Sequence, residues 1–464
     1  MTRPVASGVA VPLEGGRSAA AAASLTELDG RRVATFRIAE GTHRGAIGPA
    51  EGATIERAVR LAMEVGVPLV GTIASSGADV GGGVASLHSW GRIARALSDA
   101  SGVVPTVLVV VGPCLSGPAL LLGIADVTIM TADAFAYVSG PDTVRAFTGT
   151  AVDHVALGGA ELHGRRSGVA SLVVGHDDDA AAAAAHLLEY LPSNHLEDPP
   201  VLRTDDPVDR DTGRAAAAVP SRPTASYDVR VVLDDVLDRA SFLELRAAHA
   251  PNLVTALGRL DGHAVGIIAN QPHHRAGTID IEGSEKAARF VQWCDCFNLP
   301  LLTFVDTPGF EPGKDLEWRG MIRHGAELVH AYAAATVPRL CVVLRKAYGG
   351  AYIVMDSKGL GNDWCGAWPN AEIAVMGAVG AVQVLHGRRL REVELEGGDR
   401  AGTEAALVAE FEGELANPYR AAERGFVDEV LPAADTRRAL AAALARLRTK
   451  RETAEPRPHA NSPL

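Results

Sequence analysis

No stretch of this chain approaches the roughly 18 consecutive apolar residues that a membrane-spanning helix requires, although hydrophobic residues make up 47% of it. The opening MTRPVASGVAVPLEGGRSAAAAAS has no basic run followed by an apolar core, so no secretory leader is expected and the setting read from the sequence is cytoplasmic. Positive charge is also short. The formal net charge of -12 removes the basic footprint that nucleic-acid binding leaves, while allowing anionic ligands to be held locally. Cysteine is scarce: Cys114, Cys294, Cys296, Cys341 and Cys365 contain no CxxC pair and form no disulfide framework. Each lies in or beside an apolar run, so five buried, reduced thiols are expected. Cys294 and Cys296 flank Asp295 with no matching histidine or cysteine group nearby, so no metal site is expected.

What is present is an internal repeat. At 464 residues the chain is too long for one hydrophobic core, and self-similarity shows how it is divided. Leu28-Asp29-Gly30 recurs in the second half as Leu260-Asp261-Gly262, and Val67-Pro68-Leu69 recurs at the same offset as Leu299-Pro300-Leu301. Val104-Pro105 recurs as Val337-Pro338, with the register slipped by a single position. Each copy reads as a strand after the LDG turn, an amphipathic helix (Ile55 to Met63; Ser284 to Phe297), a buried strand, another helix, and an apolar strand entering a glycine-rich turn. This alternation predicts an α/β fold with two tandem domains. The expected boundaries are 1–195 and 228–464, joined through a helix over DDDAAAAAAHLLEYLPSN and a linker at 196–227 rich in Pro, Asp, Arg and Thr. The second half opens with the helical VRVVLDDVLDRASFLEL, which has no counterpart before Leu28; the Ala19 to Ala23 tract is expected to fray.

The chemistry falls at the two turns, Gly112-Pro113-Cys114-Leu115-Ser116-Gly117-Pro118 and Arg345-Lys346-Ala347-Tyr348-Gly349-Gly350-Ala351. A helix start leaves backbone N–H groups unpaired, and glycine lets a ligand approach them. Two such donors aimed at one oxygen form an oxyanion hole, worth about 3 kcal/mol per donor. For a single turn the glycines could simply permit a tight bend, but a matched pair suits a reaction with negative oxygen on each of two reactants. Neither Ala119-Leu120-Leu121-Leu122 nor Tyr352-Ile353-Val354-Met355 supplies an acid or base. A base delivered by a cofactor follows. Asp356, the nearest carboxylate, reads as a helix-face or capping residue.

Several segments resemble the carboxyltransferase (β) subunits of biotin-dependent acyl-CoA carboxylases, the propionyl-CoA carboxylase type among them. They are Gly112-Pro113-Cys114, LGGAELHGRRSGVA (157–170), ANQP (269–272), SEKAARFV (284–291), TFVDTPGFEPG (303–313), RKAYGGAY (345–352), AWPNAEIAVMGA (367–378), NPYRAAERGFVDEV (417–430) and the closing HANSPL. The resemblance implies two crotonase-like domains, an acyl-CoA thioester held mainly by the first, and carboxybiotin on a separate carrier entering against the second domain of a neighbouring subunit. It further implies a homo-hexamer built as a trimer of dimers, a biotin carboxylase/biotin carrier (α) partner, and no metal in this subunit. The biotin ureido anion would remove the α-proton, and the resulting enolate would attack CO2. Ser116 and Gly117 would form the first hole and Gly350 and Ala351 the second. Ser139, Gly140, Gly349, Tyr352, Ile353, Met376, Gly377 and Ala378 would line the binding surfaces, with Tyr352 and Ile353 bordering the acyl group. His163 would be a structural hydrogen-bonder. No AMKM-like biotinylation motif occurs in the chain.

Three departures fall in or before the first domain. The usual GGA reads Ser116-Gly117-Pro118, Asp79 in ASSGADVGGG (74–83) stands where arginine is usual, and a helical N-terminal segment is missing. Proline has no N–H, so the first hole survives only if Ser116 and Gly117 donate. Ile353 stands where propionyl-preferring relatives often carry aspartate, which leaves acetyl or longer acyl groups open. His43 and Arg44 are candidates for CoA phosphate contacts, with solvated surface charge as the alternative. Biotin-independent decarboxylation of a malonyl-type thioester and a non-catalytic β-like subunit are the competing functions.

Overall fold

The computed structural model describes residues 11–222, 224–450, 452 and 460–463. The leader reading of residues 1–10 and both ends of the HANSPL match lie outside them. The chain divides into two compact units. One runs to Pro200 and takes in Leu245–His249 and Cys296–Asn298; the other holds Val201–Glu244, Ala250–Asp295 and the chain from Leu299 onward.

The first unit carries strands β1 (Val11–Arg17), β2 (Ala21–Leu28), β3 (Arg31–Ile38), β4 (Leu69–Ser75), β5 (Thr106–Leu115), β6 (Val127–Thr131), β7 (Phe135–Tyr137) and β8 (Leu172–Val174). They form one sheet in the order β1-β2-β3-β4-β5-β6-β8, with β7 beside β5. Asp29 and Gly30 both take positive φ, which matches the twist a two-residue hairpin between β2 and β3 demands. From β3 onward the neighbours run parallel, so helices must carry the crossovers. Helix α1 (Pro49–Val65) starts on a proline, which is suited to a first turn, with Glu51 accepting from Gly48 N at 3.2 Å, and stops at left-handed Gly66. With α2 (Val84–Ala100) it buries Ile55, Val59, Ile93 and Leu97 against Phe36, Ile38 and Ile73. Helices α3 (Pro141–Thr148) and α4 (Asp177–Leu188) follow. The aspartates that open α4 suit the positive end of a helix, and Asp179 accepts from His176 N at 3.1 Å. The Ala19 to Ala23 tract does not fray: small side chains let it pair as β2, with Ala20, Ala21 and Ala23 buried.

The second unit repeats this plan. Its helix α5 (Arg230–Val236) precedes β9 (Leu243–Leu245), β10 (Leu253–Leu260), β11 (His263–Asn270), β12 (Leu301–Thr307), β13 (Arg339–Tyr348), β14 (Trp364–Ala367), β15 (Glu372–Ala374) and β16 (Glu429–Val430). The order β16-β14-β13-β12-β11-β10-β9, with β15 beside β13, reproduces the first sheet strand for strand. Asp261 and Gly262 repeat the positive-φ hairpin. Helix α6 (Ile281–Cys296) brings Phe290 and Cys294 down on Gly266, while α5 and α11 (Thr436–Leu447) cover the other face. Helices α7 (Met321–Ala334), α8 (Gly349–Val354), α9 (Ala378–Leu395) and α10 (Arg400–Glu414) complete the unit. The segment with linker composition packs into it from Val201: Thr212 donates to Ala433 O at 2.7 Å, and Arg210 holds Asp206 at 2.7 Å.

None of the five cysteines is in a disulfide, but Cys296 is exposed rather than buried, because it ends α6 on the solvent side. Among the described residues no helix is long and apolar enough to cross a membrane, and no group of three or more His, Cys, Asp or Glu is placed to hold a metal.

Candidate active site

In each unit the long central strand ends beside a bulge and turns into a short helix, so backbone rather than side chain is presented at the turn. In the second unit the register jumps between Val305 and Thr307, where β13 has extra residues. Buried Asp306 fills the irregularity, its Oδ1 accepting from Lys346 N at 3.2 Å and its Oδ2 from Arg345 Nε at 3.0 Å. Burial pushes the Lys346 ammonium pKa down, and the nearby Asp306 carboxylate opposes that shift. Gly349 then takes φ 60, a left-handed value, and α8 begins with no capping side chain. The N–H groups of Gly350 and Ala351 therefore sit in a first helical turn that has no internal acceptor for them. A side chain on Gly350 would touch only the Phe310 ring, at 3.6 Å.

The other expected residues of this half gather around the same turn. The Cβ position of Gly349 is 3.1 Å from Val375 O, and that of Gly377 is 3.3 Å from the Tyr348 ring. Tyr348 donates to Glu372 across β13 and β15, and burial, then this carboxylate, drives its pKa far up. Ala378 is buried at the start of α9, whereas Met376 is partly exposed. Tyr352 is buried and Ile353 is 42% exposed, so only the latter offers much surface to a ligand.

The first unit keeps the bulge and loses the charges. Its register jumps between Ile73 and Ser75, and Ala74 packs on Gly112 where the second unit has Asp306 and Arg345. Ser116 takes φ 62 and gives its N–H to Tyr137 O at 2.9 Å. The expectation that Ser116 donates to a ligand is thus corrected: β7 has already claimed that hydrogen. Pro118 has none, which leaves Gly117 alone, with the Trp90 indole 2.6 Å from where its Cβ would be. Gly140 caps α3 and lies against the Tyr137 ring, and Ser139 beside it is exposed. Asp79 accepts from Gly81 N at 3.0 Å; it shapes its loop. His43 and Arg44 form an exposed left-handed kink.

Some functional-looking groups were invisible in the sequence. Tyr137 Oη lies 2.8 Å from His154 Nδ1, and both rings stack with Phe135. Burial and the charge of Asp142 push the Tyr137 hydroxyl pKa up. A strand residue and a residue on a later short helix leave no shared pattern to read. His163 bonds Ala136 O at 2.8 Å and Ser167 Oγ at 2.7 Å, the structural role expected of it. Asp356 is neither a cap nor a helix-face residue: it is fully buried and pairs with Arg339 at 3.1 Å and Asn362 at 3.0 Å.

A duplicated α/β chain that presents first-turn amides at the end of each central strand has the design of an enzyme that steadies charge on oxygen. Residues 18–462 match the carboxyl transferase domain, and the chain belongs to that family. It is 45% identical to the propionyl-CoA carboxylase carboxyltransferase subunit of Haloferax mediterranei over 94% of this chain and 84% of that protein. It is 40% identical to the methylmalonyl-CoA decarboxylase subunit alpha of Veillonella parvula over 94% of this chain and 84% of that protein. Among solved structures it superposes on transcarboxylase 12S, a hexamer with methylmalonyl-CoA and methylmalonic acid bound, with a TM-score of 0.93 and 39% identity, covering 96% of this chain and 85% of that one.

Proposed function

We propose that this chain is the carboxyltransferase subunit of a biotin-dependent acyl-CoA carboxylase and moves a carboxyl group onto the α-carbon of an acyl-CoA. The observation that carries the reading is the uncapped start of α8, where Gly350 and Ala351 offer two amides from a turn braced by Asp306. Those amides would hold the ureido oxygen of carboxybiotin; a side chain at Gly350 would meet nothing nearer than the Phe310 ring at 3.6 Å, so the turn is not crowded there. When bound, carboxybiotin supplies the carboxyl group and, once that has left, the basic nitrogen. Gly117 N–H donates to the thioester oxygen and strengthens its hold as the enolate charge grows. Ser139 and Gly140 flank the first turn, while Gly349, Tyr352, Ile353, Met376, Gly377 and Ala378 wall the second. Carboxybiotin arrives on a separate carrier, so a biotin carboxylase/biotin carrier subunit is the partner. Assembly into a homo-hexamer, as a trimer of dimers, is supported by the superposition on transcarboxylase 12S, itself a hexamer. Five cysteines with no disulfide among them suit a reducing cytoplasm.

The purified chain, mixed with a biotin carboxylase, its biotinylated carrier, bicarbonate and ATP, should carboxylate at least one member of an acetyl-to-long-chain acyl-CoA series. Failure across the whole series would remove the reading. A second reading rests on the Veillonella relative, named as a decarboxylase subunit. Release of CO2 from a malonyl-type CoA without biotin would favour it.

A further inference from the structure

Among the described residues, one face of the first sheet lacks a cover that the duplication gives the second sheet. In the second unit β10 is buried along its length, as is nearly all of β11. Val254, Ala256, Ile267, Ala269 and Phe304 share a core cluster with Val232, Leu233, Val236 and Leu237 of α5 and the turn after it. The fit is close: a methyl on Gly258 would come within 2.8 Å of Leu237 Cδ1. In the first unit the register of the repeat puts Ala22, Ser24, Thr35, Arg37 and Thr72 at the corresponding positions, with Thr26 in place of Gly258.

These six residues line a groove of about 430 Å³, bordered by Asp177, Ala181 and Ala184 of α4. Ala22 and Arg37 are exposed, and the other four are only half-buried. Helix α4 and the turn after it meet β3 on this side at its two ends, through Arg37 to Asp177 and Arg31 Nη1 to Leu191 O at 2.7 Å, but among the described residues no helix takes the place that α5 has in the second unit. The floor is not simply wet. Ser24 Oγ and Thr35 Oγ1 bond each other at 2.9 Å, which uses their polar groups and leaves methyl and methylene surface toward the groove. Arg37 stands at the rim where the second unit has Ala269, 3.7 Å from Asp177 with both side chains largely in solvent. An exposed pair of that length contributes little and yields readily to a better-placed carboxylate.

We infer that this groove seats an amphipathic helix from a partner polypeptide, in the place that α5 holds in the second unit. The helix presents aliphatic side chains at i, i+1 and i+4, as Val232, Leu233 and Val236 do, and an acidic residue ahead of its first turn to meet Arg37, as Asp228 would: in the second unit Asp228 accepts from Gln271 Nε2 at 2.6 Å, two residues past Ala269. Helix-in-groove binding of this kind takes its energy from the buried aliphatic anchors and its register from the charge at the rim.

The probe is a fluorescent synthetic peptide copying residues 228–239, titrated with the full chain and followed by anisotropy. Saturable binding of one peptide per chain is expected. Val232→Asp with Val236→Asp in the peptide should abolish it. Ala22→Arg or Thr26→Arg in the chain should each weaken it by about tenfold or more, and Arg37→Ala by about threefold. Two blocking variants are used so that one with a shifted thermal unfolding curve can be set aside. The absence of saturable binding overturns the inference, and so does equal binding by well-folded blocked chains, since the peptide would then be displacing its own copy in the second unit. Self-association of the chain that Ala22→Arg abolishes would put a second copy in the groove and overturn the assignment to a partner.

Discussion

Pro118 stands in the first unit where Ala351 stands in the second, at the matching step of the repeated turn, and it has no amide hydrogen to give. Because Ser116 has already spent its own on Tyr137 O at 2.9 Å, the two turns share a backbone path but not a donor count. Restoring the missing hydrogen should therefore help. Pro118→Ala is expected to raise kcat for acyl-CoA carboxylation by about tenfold or more, the worth of part of a hydrogen bond to a charged oxygen. Steady-state kinetics would check it, and an unchanged kcat would show that charge does not develop at the first turn.

The reverse substitution tests the second turn. Ala351→Pro removes one N–H within the first turn of α8, where a proline breaks no intrahelical bond. A fall in kcat of about a hundredfold with a melting temperature close to the parent's is expected. A large drop in melting temperature would mean that buried Ala351 matters for packing instead.

Much of this was legible in sequence because the duplication repeats its punctuation. Asp29-Gly30 and Asp261-Gly262 are both left-handed hairpins, and the bulge before each glycine turn recurs. What escaped was long-range partnership. Nothing local says that Tyr137 O would capture Ser116 N, that Asp306 would lie beneath Lys346, or that Asp356 would face Arg339 across a buried strand end. The Ala19 to Ala23 tract misled because composition alone cannot show that a neighbouring strand awaits a row of small side chains.

That buried pair makes a pH-dependent prediction. Burial raises the Asp356 carboxyl to about 6, with Arg339 opposing the shift. A carboxyl whose folded pKa lies above its unfolded one stabilises most when protonated, so its contribution is full below about pH 4 and lost as pH rises through 6. Arg339→Met removes the opposing charge and the bonds to Tyr332 O and Leu360 O, and should cost roughly 3 to 5 kcal/mol at neutral pH. The deficit should shrink toward pH 4, where Asp356 is protonated in the folded parent and in the folded variant alike. Urea midpoints at pH 4, 5.5 and 7.5 would check this, and a deficit that ignores pH would rule out the stranded carboxylate as its cause.

Asp306 separates the stability of the second turn from its aim. Its Oδ2 neutralises Arg345, whereas its Oδ1 fixes Lys346 N, just ahead of Gly349. Asp306→Asn keeps an acceptor for Lys346 N and abandons the charge; Asp306→Ala abandons both. Each should lower stability by about 3 kcal/mol, because the buried Arg345 loses its counter-charge and keeps only carbonyl acceptors such as Arg222 O and Ala225 O. Their kinetics should diverge. If the carboxamide still holds the bulge, Asp306→Asn will keep kcat within a few-fold of the parent when assayed well below its melting temperature. Asp306→Ala, with the strand end free to drift by a fraction of an ångström, will lose about a hundredfold. Equal kcat losses in the two variants would assign Asp306 to charge balance alone and leave the aim of Gly350 and Ala351 to the left-handed turn at Gly349.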